Sequence, residues 1–193
     1  DQNIKDVLTD ASCQIETYGF SSSADWAVDN YKFVNGEGHF TLIHQGTKIG
    51  NFSLPMIGRH NIENATSVAA MCLKLGLTTQ EIQEGFHTFK GIKRRQEVIG
   101  TKSGVTVIDD FAHHPTAIRL TLEAIKEAYP EQRIWAVFEP RSATCRRKIF
   151  EDKLPQSFAT ADRVIIADLF APSKIPLEDR LDPKRVVESI NEN

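Results

Sequence analysis

The chain has 193 residues, of which 40% are hydrophobic and 25% charged, a balance that fits a soluble globular polypeptide of one large domain or parts of two. Its net charge of −3 argues against a general nucleic-acid binder, which would carry a basic surface. No apolar run is long enough to span a bilayer, and no basic-then-apolar signal segment opens the chain.

Three cysteines, Cys13, Cys72 and Cys145, lie far apart. An odd, scattered set fits reduced thiols in a cytoplasmic protein better than a disulfide framework or a zinc ribbon. The first residue is Asp1 rather than Met, so the chain is expected to be a piece of a longer one.

Residues 1–20 are weakly patterned, with a helical turn over Ile4–Leu8 and a strand over Cys13–Tyr18. The runs Trp26–Val34, His39–His44 and Lys48–Phe52 are separated by Asn35-Gly36-Glu37-Gly38 and Gln45-Gly46-Thr47. Gly and Asn at the breaks predict hairpin turns and an antiparallel meander. The period changes at Gly58. Ile62, Ala65, Ala69, Cys72 and Leu73 recur at three and four residues, as on the buried face of a helix, and Gly76 is placed to end it. Thr78-Thr79-Gln80-Glu81 then reads as a capping box opening a second helix to about Phe89.

The first of these helices begins with Gly58-Arg59-His60-Asn61-Ile62-Glu63-Asn64. His60 and Asn64 share a face at i, i+4. Two readings stand open. Asn61 caps the helix and His60 is merely exposed, or the turn is a polar patch whose amides recognise an adenine edge by donating and accepting together. Lys90-Gly91-Ile92-Lys93-Arg94-Arg95 reads as a linker, and the domain boundary is set there, giving domains 1–90 and 91–193. Its charges are either a solvated hinge or include an Arg that reaches a phosphate.

Beyond the linker, strands and helices alternate. Strands are predicted over Gln96–Gly100, Val105–Ile108, Arg133–Phe138 and Arg163–Ala167. Helices are predicted over Pro115–Tyr129, from about Thr144 to Phe158, and from Pro183. This is an α/β pattern with a mostly parallel, Rossmann-like sheet. The stretch Val105–Ile118 sets two carboxylates, Asp109 and Asp110, and two imidazoles, His113 and His114, between a strand and a helix opened by Pro115. Loops at the carboxyl ends of strands are where open α/β sheets bind ligands, although an Asp pair there also makes an ordinary turn and cap. Adjacent histidines lack the spacing of a helical zinc pair, and no metal site is assigned. The next strand ends in Glu139-Pro140-Arg141-Ser142, expected beside that loop. Arg141 suits a substrate carboxylate, and Ser142 equally suits a helix cap. Neither a Walker-type phosphate loop nor Gly-x-Gly-x-x-Gly is present.

Together these motifs resemble the Mur ligases, the cytoplasmic ATP-dependent ligases of bacterial peptidoglycan metabolism. The resemblance rests on Gly58-Arg59-His60-Asn61 to Asn64, on Arg94-Arg95, and on Asp109-Asp110 with His113-His114-Pro115-Thr116. It covers nearly the whole chain, including Thr17-Tyr18-Gly19-Phe20. Asp-Asp-Phe-Ala-His-His-Pro-Thr-Ala-Ile and Glu-Pro-Arg-Ser look most like the recycling branch, which joins UDP-N-acetylmuramate to L-alanyl-γ-D-glutamyl-meso-diaminopimelate. The alternative is the branch that adds L-alanine, which more usually has Tyr-Gly before the two histidines and His-Arg in place of Arg141-Ser142. Ala143 and Cys145 depart from the Asn and Met expected of the recycling branch.

The resemblance implies the back of a central ATPase domain followed by most of a C-terminal Rossmann-like domain, truncated and inactive alone. ATP and Mg²⁺ are the implied cofactors, with the phosphate loop and magnesium ligands expected before Asp1. UDP-N-acetylmuramate and the murein tripeptide are the implied partners, with no nucleic acid and no membrane. It implies that His60, Asn61 and Asn64 contact the adenine, and that Arg95 and Asp110 close over the nucleotide as catalytic residues. His113, His114, Arg141 and Ser142 are implied to line the peptide side. A rival of another class is a receiver-like signalling module, built on an acidic pair after a strand and on Asp168. Its intervening strand ends in Glu139-Pro140-Arg141 rather than in an Asp, and it leaves the His60–Asn64 turn without a role.

Overall fold

The computed structural model describes residues 2–192. The chain divides into two compact units, one made of Asp1–Pro55 with Asn61–Phe89, the other of Met56–His60 with Lys90–Asn193.

In the first unit, a short helix α1 (Gln2–Val7) precedes a sheet of four strands, β1 (Tyr18–Gly19), β2 (Trp26–Val34), β3 (Glu37–His44) and β4 (Thr47–Leu54), in that order. The strand expected over Cys13–Tyr18 is not there: residues 13–17 are irregular, and β1 begins at Tyr18 and pairs parallel to β2. The meander is as expected: Val34 pairs with Glu37 and His44 with Thr47. The two-residue connections carry positive φ at both positions, 52° and 87° at Asn35-Gly36 and 48° and 79° at Gln45-Gly46. These are type I′ values, whose twist matches that of the strands they join.

Trp26, Phe40, Leu42, Phe52 and Leu54 are buried. Glu16 anchors the approach to β1, accepting hydrogen bonds from the Trp26 indole at 2.8 Å and Lys74 Nζ at 2.7 Å. Helix α2 (Arg59–Lys74) buries Ile62, Ala65 and Ala69 and ends at Gly76, φ +91°. There Leu77 N–H donates back to the Cys72 carbonyl at 3.0 Å, as in a Schellman cap. Helix α3 (Thr79–Thr88) has the predicted capping box, with both the Thr78 and Glu81 bonds present. It packs on β4 through Phe86 and Phe52, ring centroids 6.0 Å apart.

In the second unit, β5 (Glu97–Lys102) and β6 (Val105–Asp109) form an antiparallel hairpin about Ser103-Gly104, whose φ values of 51° and 78° again fit type I′. Helix α4 (Pro115–Ala128) follows. β7 (Trp135–Phe138) and β8 (Arg163–Ile166) pair in parallel, which the long connection between them allows. The short helix α5 (Leu154–Ser157) lies between them, and α6 (Pro183–Asn191) closes the unit, capped by Asp182.

The α/β class is as read, but two details differ. Among the described residues β6 pairs with β5 and β7 with β8, so the hydrogen-bonded ladder is not one continuous sheet. The tight Ser103-Gly104 turn gives β6 its nearest partner locally. Residues 144–158 are not one helix. Arg147 bridges Arg180, and Leu181 N–H donates to the Arg146 carbonyl at 3.0 Å, so the chain is drawn out of helix at Arg146–Arg147 and only separate turns form on either side. A 3-10 turn (Lys148–Phe150) and α5 are what remain.

Ala136 and Phe138 turn towards a core that includes Ile118, Leu122, Cys145 and Val186. Alternation points Trp135 and Val137 the other way, where they are 59% and 72% exposed.

Candidate functional site

The second unit gathers the loops that follow β6, β7 and β8, the carboxyl ends at which α/β proteins bind ligands. The β6 loop is fastened to the linker. Arg94 Nε reaches Asp109 Oδ2 at 3.2 Å, and Phe111 N–H donates to the Arg94 carbonyl at 2.8 Å. Arg94 also lies 5.2 Å from the Phe111 ring centroid. Asp110 accepts from Gln96 N–H at 2.8 Å with one oxygen and from Ala112 N–H at 2.7 Å with the other. Arg94 and Gln96 both hold positive φ, 59° and 51°, so exposed Arg95 is carried between two residues in the left-handed region.

His60, Arg95 and Asp110 come from three separate stretches and interact electrostatically in this unit. Burial pushes the His60 imidazole below its ordinary value of 6.5; the Asp110 carboxylate opposes that shift and the Arg95 guanidinium adds to it. The approach to His60 needs Gly58, which sits at φ +92°; a Cβ there would meet Ala124 Cβ at 2.5 Å and His60 Cε1 at 2.9 Å. Asn61 and Asn64 lie further along α2. Asn61 is not the cap, because α2 opens at Arg59; it is a helical residue, buried and only 9% exposed. Asn64 is exposed.

The two adjacent histidines are not equivalent. His113 Nδ1 stands 3.0 Å from the Phe111 carbonyl. A carbonyl only accepts, so this nitrogen carries the hydrogen and Nε2 is left as an acceptor. His114 Nδ1 accepts from Thr116 N–H at 3.2 Å and caps α4, so its hydrogen in the neutral ring lies on Nε2. The His114 ring packs edge-on against Phe150, centroids 4.7 Å apart. One histidine thus offers an acceptor to solvent and the other a donor.

Ser142 is a turn residue. Its hydroxyl oxygen accepts from Cys145 N–H at 3.2 Å and its hydrogen points to Cys145 Sγ, 3.0 Å away. Cys145 is buried, which pushes its thiol pKa up against the opposing Ser142 hydrogen bond. Its S–H donates to the His113 carbonyl at 2.8 Å, and this ties the β7 loop to the β6 loop, the neighbourhood expected from the sequence. Arg141 turns elsewhere. It lies 3.5 Å from Glu139 and stacks on Phe170, with Cζ 4.5 Å from the ring centroid, and no hydrogen bond or ion pair joins it to His113 or His114 among the described residues.

Cys145, Arg146, Phe150 and Phe170 were absent from the sequence-level site. A Ser-x-x-Cys turn after a strand was the one available signal for Cys145. No group of three or more His, Cys, Asp or Glu side chains suited to a metal ion forms among the described residues.

The model for the Mur ligase glutamate ligase domain matches residues 94–192, and that for the Mur ligase middle domain matches residues 1–72. The chain belongs to the Mur ligase family. It is 40% identical to the UDP-N-acetylmuramate–L-alanine ligase of Desulfitobacterium hafniense, across 85% of this chain and 36% of that protein. The crystal structure of the UDP-N-acetylmuramate–alanine ligase of Thermotoga maritima has the same fold, with a TM-score of 0.75 at 22% identity, over 92% of this chain and 37% of that one. A murein peptide ligase structure from Psychrobacter arcticus is 31% identical with a TM-score of 0.57, over 91% of this chain and 35% of that one. The chain thus spans somewhat over a third of the length of these relatives.

Proposed function

We propose that this chain is the part of an ATP-dependent ligase that brings the linker and the loops after β6, β7 and β8 to the reaction, with UDP-N-acetylmuramate as donor and L-alanine as acceptor. The observation that carries the ligase reading is the match of residues 1–72 and 94–192 to the two Mur ligase domains, and the electrostatic grouping of His60 with Arg95 and Asp110 fits it. The choice of L-alanine rests on the 40% identity to a ligase of that name. The tripeptide acceptor is the second reading, favoured by the Asp-Asp-Phe-Ala-His-His and Glu-Pro-Arg-Ser motifs and by the 31% identity to a murein peptide ligase. The comparisons lean towards L-alanine.

In this reading the muramate carboxylate attacks the γ-phosphorus of ATP, releasing ADP and giving an acyl phosphate. The acceptor amine then attacks the acyl carbon, the C–O bond to phosphate breaks, and the amine loses a proton. Arg95 stabilises phosphate charge as it develops, which suits a fixed guanidinium. Asp110 has one lone pair of each oxygen committed to a backbone N–H. A carboxylate offers about four acceptor sites, so a ribose hydroxyl can still donate to it. Neutral His60, with Asn61 and Asn64, faces the adenine. His113 Nε2, left as an acceptor on the β6 loop, receives the amine proton. Mg²⁺ would screen the gathered negative charge. Asp109 is engaged by Arg94, while the acceptor sites that Asp110 keeps beyond its two amide bonds would suit the cation as well as a ribose hydroxyl. The linker at Gly91 is the hinge on which closure excludes water from the acyl phosphate.

The test is phosphate release by the full-length protein with ATP, UDP-N-acetylmuramate and either L-alanine or the tripeptide. Release with L-alanine alone supports the first reading, and release with the tripeptide alone moves the assignment to the second. Silence from folded protein with both removes the ligase reading.

A further inference from the structure

Phe170 has no evident reason to be ordered as a core residue. It follows β8, is 45% exposed, and lies in a loop containing a residue in the left-handed region, Ala171 at φ 46°. That conformation is unfavourable for a side chain with a Cβ, and the surroundings hold it. Arg146 Nη1 donates to the Phe170 carbonyl at 3.0 Å and to the Ala171 carbonyl at 3.4 Å, while its Nε donates to the Ser142 carbonyl at 3.3 Å. The same Ser142–Arg146 turn holds the His113 carbonyl through Cys145. One short turn therefore fastens all three loops at the carboxyl ends of β6, β7 and β8.

The group resting on Phe170 is Arg141, whose side chain is 63% exposed. A guanidinium lying over an aromatic face loses freedom to swing while its in-plane N–H groups stay available. Glu139 lies 3.5 Å from Nη1. The remaining donors keep the fork that a carboxylate fits bidentately.

We propose that Phe170 is a specificity-determining residue for the acceptor: its ring holds the Arg141 guanidinium so that the site selects amines that also carry a free carboxylate, with Arg146 as the positioning residue beneath. The proposal rests on the ligase reading above and applies to either acceptor, since both L-alanine and the tripeptide present carboxylates.

The experiment measures steady-state phosphate release by the full-length ligase, varying the acceptor and its carboxamide analogue. Loss of an exposed cation–π contact corresponds to roughly a two- to fivefold change, so Phe170→Ala should raise the acceptor KM by about that factor and shrink the preference for carboxylate over carboxamide equally. The KM for ATP should stay put. Phe170→Tyr, which keeps the π face, should restore the acceptor KM. Phe170→Leu, which keeps volume without the face, should behave like Ala and serves if Ala fails to fold. Unchanged acceptor KM and carboxamide discrimination in folded Ala and Leu variants of an active enzyme would overturn this inference alone, as would KM for ATP and acceptor rising together. No release by the unmodified enzyme with any acceptor would overturn both it and the ligase reading.

Discussion

His60 shows how one residue's surroundings decide its chemistry. Protonation would set a positive charge in a partly buried place with Arg95 nearby, and Asp110 only partly offsets that cost. The folded protein therefore keeps this ring neutral at pH values where the unfolded chain is already taking up a proton. Stability is full above the ordinary value of 6.5 and is lost as pH falls through it, down to the lowered folded value. Replacing His60 with Gln should flatten that slope in urea unfolding measured between neutral and mildly acidic pH. Asp110→Asn should widen the window by removing the opposing carboxylate, and Arg95→Gln should narrow it. A slope identical in all four proteins would mean that another group carries the acid sensitivity.

Elements here form where local chemistry and tertiary demand agree, and Gly58 is where they meet most tightly. Its positive φ and the 2.5 Å approach to Ala124 Cβ leave no room for a side chain. Gly58→Ala should cost about 2–4 kcal/mol, combining the backbone penalty with overpacking. Adding Ala124→Gly should return part of that loss by relieving the clash while leaving φ strained. Denaturant midpoints of the two variants check both statements. The same logic separates what the residues alone made legible from what they did not. Asn35-Gly36, Gln45-Gly46, the Thr78 box, Pro115 and Asp182 each act on their own neighbours, so hairpins and helix starts could be read in advance. Residues 144–158 could not, because Arg146 and Arg147 bond through their backbone to Leu181 and Arg180, and the Arg146 side chain to the Phe170 carbonyl, all far along the chain. The site divides in the same way. Asp110, His113 and Arg141 stood out as ionisable groups after strands. Cys145, Arg146 and Phe170 matter through contacts between loops, and no spacing within one loop encodes such contacts.

At the scale of the molecule, one of the points where the chain passes between the two compact units, the segment after Phe89, has little to hold it. Phe89 N–H still donates to Phe86, and Arg94 is bound at both its N–H, by Glu97, and its carbonyl, by Phe111. Between them Lys90, Gly91, Ile92 and Lys93 are exposed; Ile92 accepts from Arg95 N–H at 3.1 Å, and Gly91, at φ +78°, has nothing within 4 Å of where a Cβ would lie. Proteases need several residues of extended, unbonded backbone, and they find them where burial and hydrogen bonding lapse. Brief trypsin treatment should therefore cut first after Lys90 and Lys93, giving fragments that begin at Gly91 and Arg94, before any cut between Glu97 and the end of α6. Lys102, Lys126 and Lys184 are internal controls of the same chemistry set in hairpin or helix. N-terminal sequencing of the earliest products decides the matter: first cuts at 90 and 93 support the proposed boundary at 90/91 and a hinge there. First cuts at the β5–β6 turn or in the loop before α6 would move the weakest point of the chain into the second unit and remove the linker as the site of closure.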